Sequence, residues 1–216
     1  MNSQTRREIR PGLIALALSG LLFALGIVLR GPVDLADPGS CCRVALSAAH
    51  VSGWTIILLG GVLHLFGLFG LYRYLTYQAE SLIALLAVVL AVAGIALFLP
   101  LASFSAVNGP VIADLYQQGN QEVIAVVEAG FTSTLGLALL GVSSAADITG
   151  PILFAVAIWR DGRLPRWTGV IFALSVVLLG VPVTLATELL GAVLLLTSTG
   201  VMAWKGWQES VAGAGP

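Results

Sequence analysis

The chain has 216 residues, of which 58% are hydrophobic and only 10% are charged, and its mean hydropathy is +0.99. Charged residues make up about a quarter of an ordinary soluble domain, so this composition excludes that class. The net charge of −1 provides no basic surface for nucleic acid. We therefore predict one transmembrane domain over residues 1–216, with the lipid bilayer as its main partner.

The first apolar run covers residues 12–29 and follows the basic residues Arg6, Arg7 and Arg10. Basic residues before an apolar run are also typical of a signal peptide, whose cleavage site requires small residues after the run. The sequence Leu29-Arg30-Gly31-Pro32 follows instead. An uncleaved first span is therefore expected.

Six transmembrane spans are predicted, because each span needs about 20 apolar residues. They cover residues 12–29, 51–72, 82–106, 133–159, 167–181 and 183–204. The last two share a block that is short for two spans, and their turn is expected near Gly180-Val181-Pro182. A five-span chain with a re-entrant end is the alternative. The predicted fold class is an all-α, polytopic bundle of transmembrane helices.

The basic residues predict the orientation of these spans. With six spans and the N-terminus inside, eight of the ten Arg and Lys residues lie in cytoplasmic segments, and only Arg30 and Arg43 lie outside. Such an excess of basic residues is typical of the cytoplasmic side, so both termini are expected there. Most tyrosines and tryptophans flank the same inner boundary, as aromatic belts do, whereas Trp54 flanks the outer one.

Two long connections are expected on the outer side. Residues 30–50 contain Cys41-Cys42, and the chain has no other cysteine, so a disulfide between two loops is excluded. Residues 111–128 form an amphipathic segment that Gly119-Asn120 interrupts, which predicts one or two short helices at the outer interface. One helix over residues 121–159 would be about 58 Å long, so a break is expected near Gly130.

A polar stretch interrupts the fourth span, Ser143-Ser144-Ala145-Ala146-Asp147-Ile148-Thr149-Gly150-Pro151. Pro151 has no N–H, so the carbonyl of Asp147 loses its helical hydrogen bond. A carboxyl group within hydrocarbon is costly, and its presence suggests a function. The alternative is that Asp147 is protonated and has no function beyond its place beside a proline kink.

His64 is the second polar residue expected deep in the membrane. It shares a helical face with Gly53, Gly60 and Gly67 in the second span, and small residues allow close helix contact in lipid. The candidate interior polar site consists of Asp147, His64, Ser143 and Ser144, and it would bind a proton or a small cation. A neutral imidazole bonded to a neighbouring hydroxyl or carbonyl is the alternative for His64.

Glu188, Thr184 and Thr187 form a second candidate group, near the outer boundary. Together they would line an outer vestibule, or else Glu188 would cap or solvate a helix end. The sequence contains no phosphate-binding glycine loop, nucleophile elbow or metalloprotease motif. It therefore predicts no catalytic residue, no metal site and no cofactor.

Two segments, together with the length and the outer amphipathic connection, carry a resemblance to a known family. They are Gly70-Leu71-Tyr72-Arg73-Tyr74-Leu75 and Arg160-Asp161-Gly162-Arg163-Leu164-Pro165-Arg166. The chain resembles a bacterial family of six-span integral membrane proteins described only as a domain of unknown function. The resemblance covers most of the chain and implies a multi-pass protein of the bacterial inner membrane. It implies no activity, cofactor or catalytic residues.

Three function classes fit these observations. The first is a scaffold or accessory subunit of a membrane assembly, with a second copy or another membrane protein as partner. The second is a small proton- or cation-linked transporter that uses Asp147 and His64. The third is an intramembrane enzyme based on the same two residues. A dry, packed bundle would favour the first class, and a polar cavity that reaches Asp147 would favour the second.

Overall fold

The computed structural model describes residues 3–32, 45–180 and 184–212, so Cys41-Cys42 lies outside the described residues. Within these ranges every regular element is a helix, as the predicted all-α class requires. The helices are α1 (Ser3–Arg30), α2 (Ala48–Thr76), α3 (Leu82–Gln117), α4 (Glu122–Thr132), α5 (Thr134–Asp161), α6 (Arg166–Gly180) and α7 (Leu185–Ala212). All except α4 and α6 contain a segment long and apolar enough to cross a membrane.

The six larger helices pack as a closed ring in the order α1, α2, α3, α5, α6, α7 and back to α1. The ring is flattened, because His64 of α2 and Phe172 of α6 stack across it with their ring centroids 6.0 Å apart. The bundle thus consists of two layers of three helices. One layer is α1–α2–α3, the other is α7–α6–α5, and α2 and α6 are the central helices.

Glycines set the close contact between α1 and α2. A Cβ atom built on Gly12 would lie 2.5 Å from the Cα of Gly70, so the two backbones touch. Further along the same face, Gly53, Gly60 and Gly67 of α2 also lie against the α1 backbone or its side chains. The predicted helix contact on this face of α2 is confirmed, and the neighbour is α1.

The long helix α3 differs from the expected division into a third span over residues 82–106 and a separate outer segment over residues 111–128. It continues through Pro100 and Pro110 to Gln117. A proline removes one helical hydrogen bond, whereas a chain reversal among apolar residues would expose several backbone groups. The first part of the outer segment is therefore the end of α3, and α4 forms the second part.

The chain turns after α3 at Gly119, whose φ of 93° is a left-handed conformation. A second break follows at Ser133, where α4 ends and α5 begins, three residues from the break expected near Gly130. The hydroxyl of Ser133 accepts the N–H of Gly136 at 3.0 Å and so caps α5.

The central helix α6 is short. Its 15 residues cover about 22 Å at 1.5 Å per residue, less than the roughly 30 Å hydrocarbon thickness of a bilayer. It begins at Arg166 and ends at Gly180. The connection that leads into it from α5, residues 160–166, is called the basic loop. Residues 181–183, where the turn to α7 was expected, fall outside the part that the structure describes.

Candidate functional site

His64 lies in the centre of the bundle and is 4% exposed. Its Nδ1 is 3.0 Å from the hydroxyl oxygen of Ser19 in α1. That hydroxyl donates its single proton to the carbonyl of Leu16 at 2.7 Å, so Nδ1 carries a proton and donates to Ser19. The predicted alternative, an imidazole bonded to a neighbouring hydroxyl, describes this residue.

Aromatic rings surround the imidazole. Phe172 stacks on it, Phe23 of α1 meets it edge-on at a centroid distance of 6.0 Å, and Phe154 of α5 meets Phe172 edge-on. Phe154 and Phe172 are fully buried. At this level the bundle is filled by packed rings, which is typical of a structural core.

Asp147 lies at a different level, where α3, α5 and the end of α6 meet. A Cβ built on Gly94 of α3 would lie 2.6 Å from the backbone nitrogen of Asp147. The carboxylate oxygen Oδ2 lies 3.8 Å from the corresponding position on Gly180, the last residue of α6. Among the described residues, no hydrogen bond or ion pair reaches this carboxylate.

The two serines expected at this site have separate roles. The hydroxyl of Ser143 donates to the carbonyl of Gly94 at 3.2 Å and so joins α5 to α3. The side chain of Ser144 is exposed on the outside of the bundle. The carbonyl of Asp147 has no helical donor because the N–H expected at position 151 is absent from proline.

The structure does not join Asp147 to His64. Asp147 adjoins Gly180, whereas His64 stacks on Phe172. Gly180 and Phe172 lie about 12 Å apart along the α6 axis. No hydrogen bond in the described part of the chain connects them. The four candidate residues thus occupy three separate places, with Asp147 and Ser143 as neighbours on α5.

A polar cluster that the sequence did not reveal lies at the opposite end of the bundle from the basic loop. Arg30, the last residue of α1, forms an ion pair with Glu188 in the first turn of α7. Both side chains are 7% exposed. The guanidinium also lies over the ring of Trp54 in α2, 4.8 Å from its centroid. One arginine therefore contacts the ends of two other helices.

His50 completes this cluster. Its Nδ1 is 2.9 Å from the carbonyl of Arg30, and its Nε2 is 3.0 Å from the indole nitrogen of Trp54. The carbonyl can only accept and the indole can only donate, so Nδ1 carries the proton and Nε2 accepts. The cluster therefore requires a neutral His50 in a single tautomer.

The three residues of the expected outer vestibule have structural roles. Thr184 and Thr187 form a reciprocal cap, in which each hydroxyl accepts the backbone N–H of the other residue at 3.2 and 3.1 Å. Glu188 is buried against Arg30 and does not line a solvated space. A cap was expected from Glu188, but the two threonines form it and Glu188 is buried in an ion pair instead.

The basic loop between α5 and α6 fastens the end of α2. Arg163 pairs with Asp161 at 2.6 Å and donates to the carbonyls of Tyr74 and Leu75 at 2.9 and 3.3 Å. Burial lowers the pKa of Arg163, but hydrogen bonds to Asp161 and Tyr77 outweigh it and leave that pKa raised. Arg163 is thus a charged C-cap for another helix.

The residues in these clusters are far apart in sequence. Arg30 and Glu188 are separated by 158 positions, and Arg163 is 89 positions from Tyr74. Their only local signals were charges at the predicted ends of apolar runs. A mid-span position and a nearby glycine stripe, in contrast, did indicate the burial of His64.

Within the described ranges, no group of three or more His, Cys, Asp or Glu residues is placed to hold a metal ion. Comparisons of the chain with protein-family models, with curated proteins and with solved structures return no match.

Proposed function

We propose that the chain is a scaffold or accessory subunit of a membrane assembly. The observation that carries this proposal is the packed interior, in which His64 is enclosed by Phe23 and Phe172 and bonded to Ser19. A space filled by aromatic rings supports a structural role, because a solute path needs polar groups that a substrate or water can reach.

The proposed setting is the bacterial inner membrane, with six spans and both termini in the cytoplasm. Five long apolar helices support a multi-pass protein, and α6 would be the sixth span. Its limited length requires local thinning of the bilayer or cover from neighbouring protein. The eight-to-two distribution of basic residues supports the orientation.

Two measurements on the same preparation test the scaffold proposal. Extracted from its native membrane in a mild detergent, the protein should migrate on a native gel with a second membrane protein in a fixed ratio. Purified and reconstituted into liposomes, it should leave the proton and cation permeability of empty liposomes unchanged. A cation or proton flux that Asp147→Asn abolishes would contradict the proposal.

A small proton- or cation-linked transporter is the second candidate, because the Asp147 carboxylate has no protein partner among the described residues. Asp147→Asn preserves the shape of the side chain and removes its titrating group. If Asp147 binds a cation, this variant should lose the pH and cation dependence of thermal stability. Asp114→Asn, at an exposed position, is the matched control. Equal behaviour of both variants and the parent protein excludes the site.

A further inference from the structure

A groove runs along the outside of the bundle between α1 and α2, at the end that carries the basic loop. Its volume is about 380 Å³, and it is lined chiefly by Pro11, Gly12, Phe66, Phe69, Gly70 and Arg73. The floor is the contact between Gly12 and Gly70, where both side chains are absent. Phe66 and Phe69 form one wall and are 62% and 51% exposed.

The shape of this groove favours a flexible hydrocarbon chain over a helix. The backbones of α1 and α2 touch at its floor, so the groove is a narrow furrow between adjoining cylinders. A helix with side chains is about 10–12 Å wide and cannot reach that floor. A single acyl chain is thinner and can lie against the glycines and the two phenylalanine side chains.

The charge at the end of the groove indicates which lipid would occupy it. Arg73 is exposed and lies in the last turn of α2, where a long side chain can extend to the headgroup layer. Arg10, the residue directly before Pro11 on α1, lies over the ring of Trp207 in α7, at 4.6 Å. A guanidinium binds phosphate oxygens through paired N–H donors, so it suits a phosphate better than an ammonium does.

We propose that this groove is a binding site for an anionic phospholipid, whose phosphate contacts Arg73 and whose acyl chain lies over Gly12 and Gly70. Basic pockets between transmembrane helices on the cytoplasmic side are known to hold anionic headgroups. Eight of the ten basic residues lie in segments expected at this end of the bundle, so the test has to separate a general attraction to anionic headgroups from a contact with Arg73. We expect Arg73, at the end of the apolar groove, to provide the preference for an anionic over a zwitterionic phospholipid.

Native mass spectrometry of the delipidated full chain tests this site. The probes are phosphatidylglycerol and phosphatidylcholine with the same acyl chains, and inorganic phosphate alone. The parent protein should bind phosphatidylglycerol about fivefold more tightly than phosphatidylcholine, the difference expected from one basic residue at an anionic headgroup. Inorganic phosphate alone should not bind, because it lacks the acyl chain.

Three variants separate the headgroup contact from the groove. Arg73→Gln should remove the preference for phosphatidylglycerol, and Arg73→Lys should restore part of it. Ala15→Phe should reduce binding of both lipids, because Ala15 lines the groove and a larger side chain fills it. Arg166→Gln is the matched control, since Arg166 lies at the same end over the ring of Trp159.

The expected pattern is a loss of preference in Arg73→Gln and an unchanged preference in Arg166→Gln. Equal losses in both variants, or lipid binding that Ala15→Phe leaves intact, would overturn the proposal. Binding of inorganic phosphate alone would mean that the ligand of this site is a free anion and not a lipid. A concentration-dependent dimer that Ala15→Phe disrupts would assign the groove to a second copy of the chain. If Arg73→Gln does not fold, the lipid pair and Ala15→Phe still decide the question.

Discussion

The guanidinium of Arg30 and the carboxylate of Glu188 form a buried ion pair that joins the end of α1 to the beginning of α7. These are the first and last helices of the ring, so the pair closes the seam at which the two ends of the chain meet. Trp54 covers the guanidinium from α2. Three helix ends are thus fixed by one arginine.

Removal of one partner from this pair should destabilise the bundle. Glu188→Ala leaves the charge of Arg30 buried without its carboxylate, which typically costs about 3–5 kcal/mol of unfolding free energy. Thermal unfolding in detergent measures the effect. Glu128→Ala, an exposed position on α4, should have little effect. Equal changes in unfolding temperature in the two variants would show that the ion pair does not stabilise the bundle.

A methyl group at Gly70 should separate α1 from α2. Gly70→Ala places a Cβ against the Gly12 backbone at 2.5 Å, a distance that forces the helices apart. Gly141→Ala is the matched control, because a Cβ at that position meets nothing within 4 Å. It should be neutral or stabilising, since alanine favours a helix by about 1 kcal/mol over glycine. The prediction fails if Gly70→Ala is as stable as Gly141→Ala.

The hydrogen bond between Ser19 and His64 should appear as a coupling free energy. The variants Ser19→Ala and His64→Leu and their double variant form a double-mutant cycle. Bonds of this kind between membrane helices average about 0.6 kcal/mol and reach about 1.7 kcal/mol. A value in that range is expected from unfolding in mixed micelles. Strictly additive single effects would mean that the imidazole is held by its aromatic neighbours alone.

The orientation can be tested with the cysteine pair. If both termini are cytoplasmic, Cys41 and Cys42 lie outside, and an impermeant maleimide should label them in intact cells after mild reduction. A variant with both residues replaced by serine should remain unlabelled. Labelling that requires permeabilised cells would reverse the orientation. The eight-to-two distribution of basic residues motivates this prediction.

The helices were predictable because their signals are local. Long apolar runs indicate the helices themselves, and the spacing of Gly53, Gly60, Gly67 and His64 indicated a packed face on α2. The end of the third span was the exception. The third span was expected to end at residue 106, but α3 continues through Pro110 to Gln117, because within an apolar region a continuous helix leaves fewer unsatisfied backbone groups than a turn.

The side-chain clusters were not predictable, because each is defined by the packing order of the helices. The sequence placed Glu188 near a helix end but not opposite Arg30, which depends on α7 packing against α1. It also placed Asp147 and His64 at similar depths by counting residues from each boundary. It did not reveal that α6 places Gly180 beside Asp147 and Phe172 against His64.

The contact between α1 and α7 has a consequence for biosynthesis. About 155 residues separate the end of α1 from the beginning of α7, and translation at 5–20 residues per second takes roughly 8–30 s to cover them. During that interval the face of α1 that later meets α7 contacts lipid or the insertion machinery. In a chain truncated before α7, Arg30 lacks the carboxylate of Glu188 and keeps only its contacts with α1 and α2, such as Trp54. An unfinished molecule therefore differs from the complete one by an unneutralised charge at the end of α1.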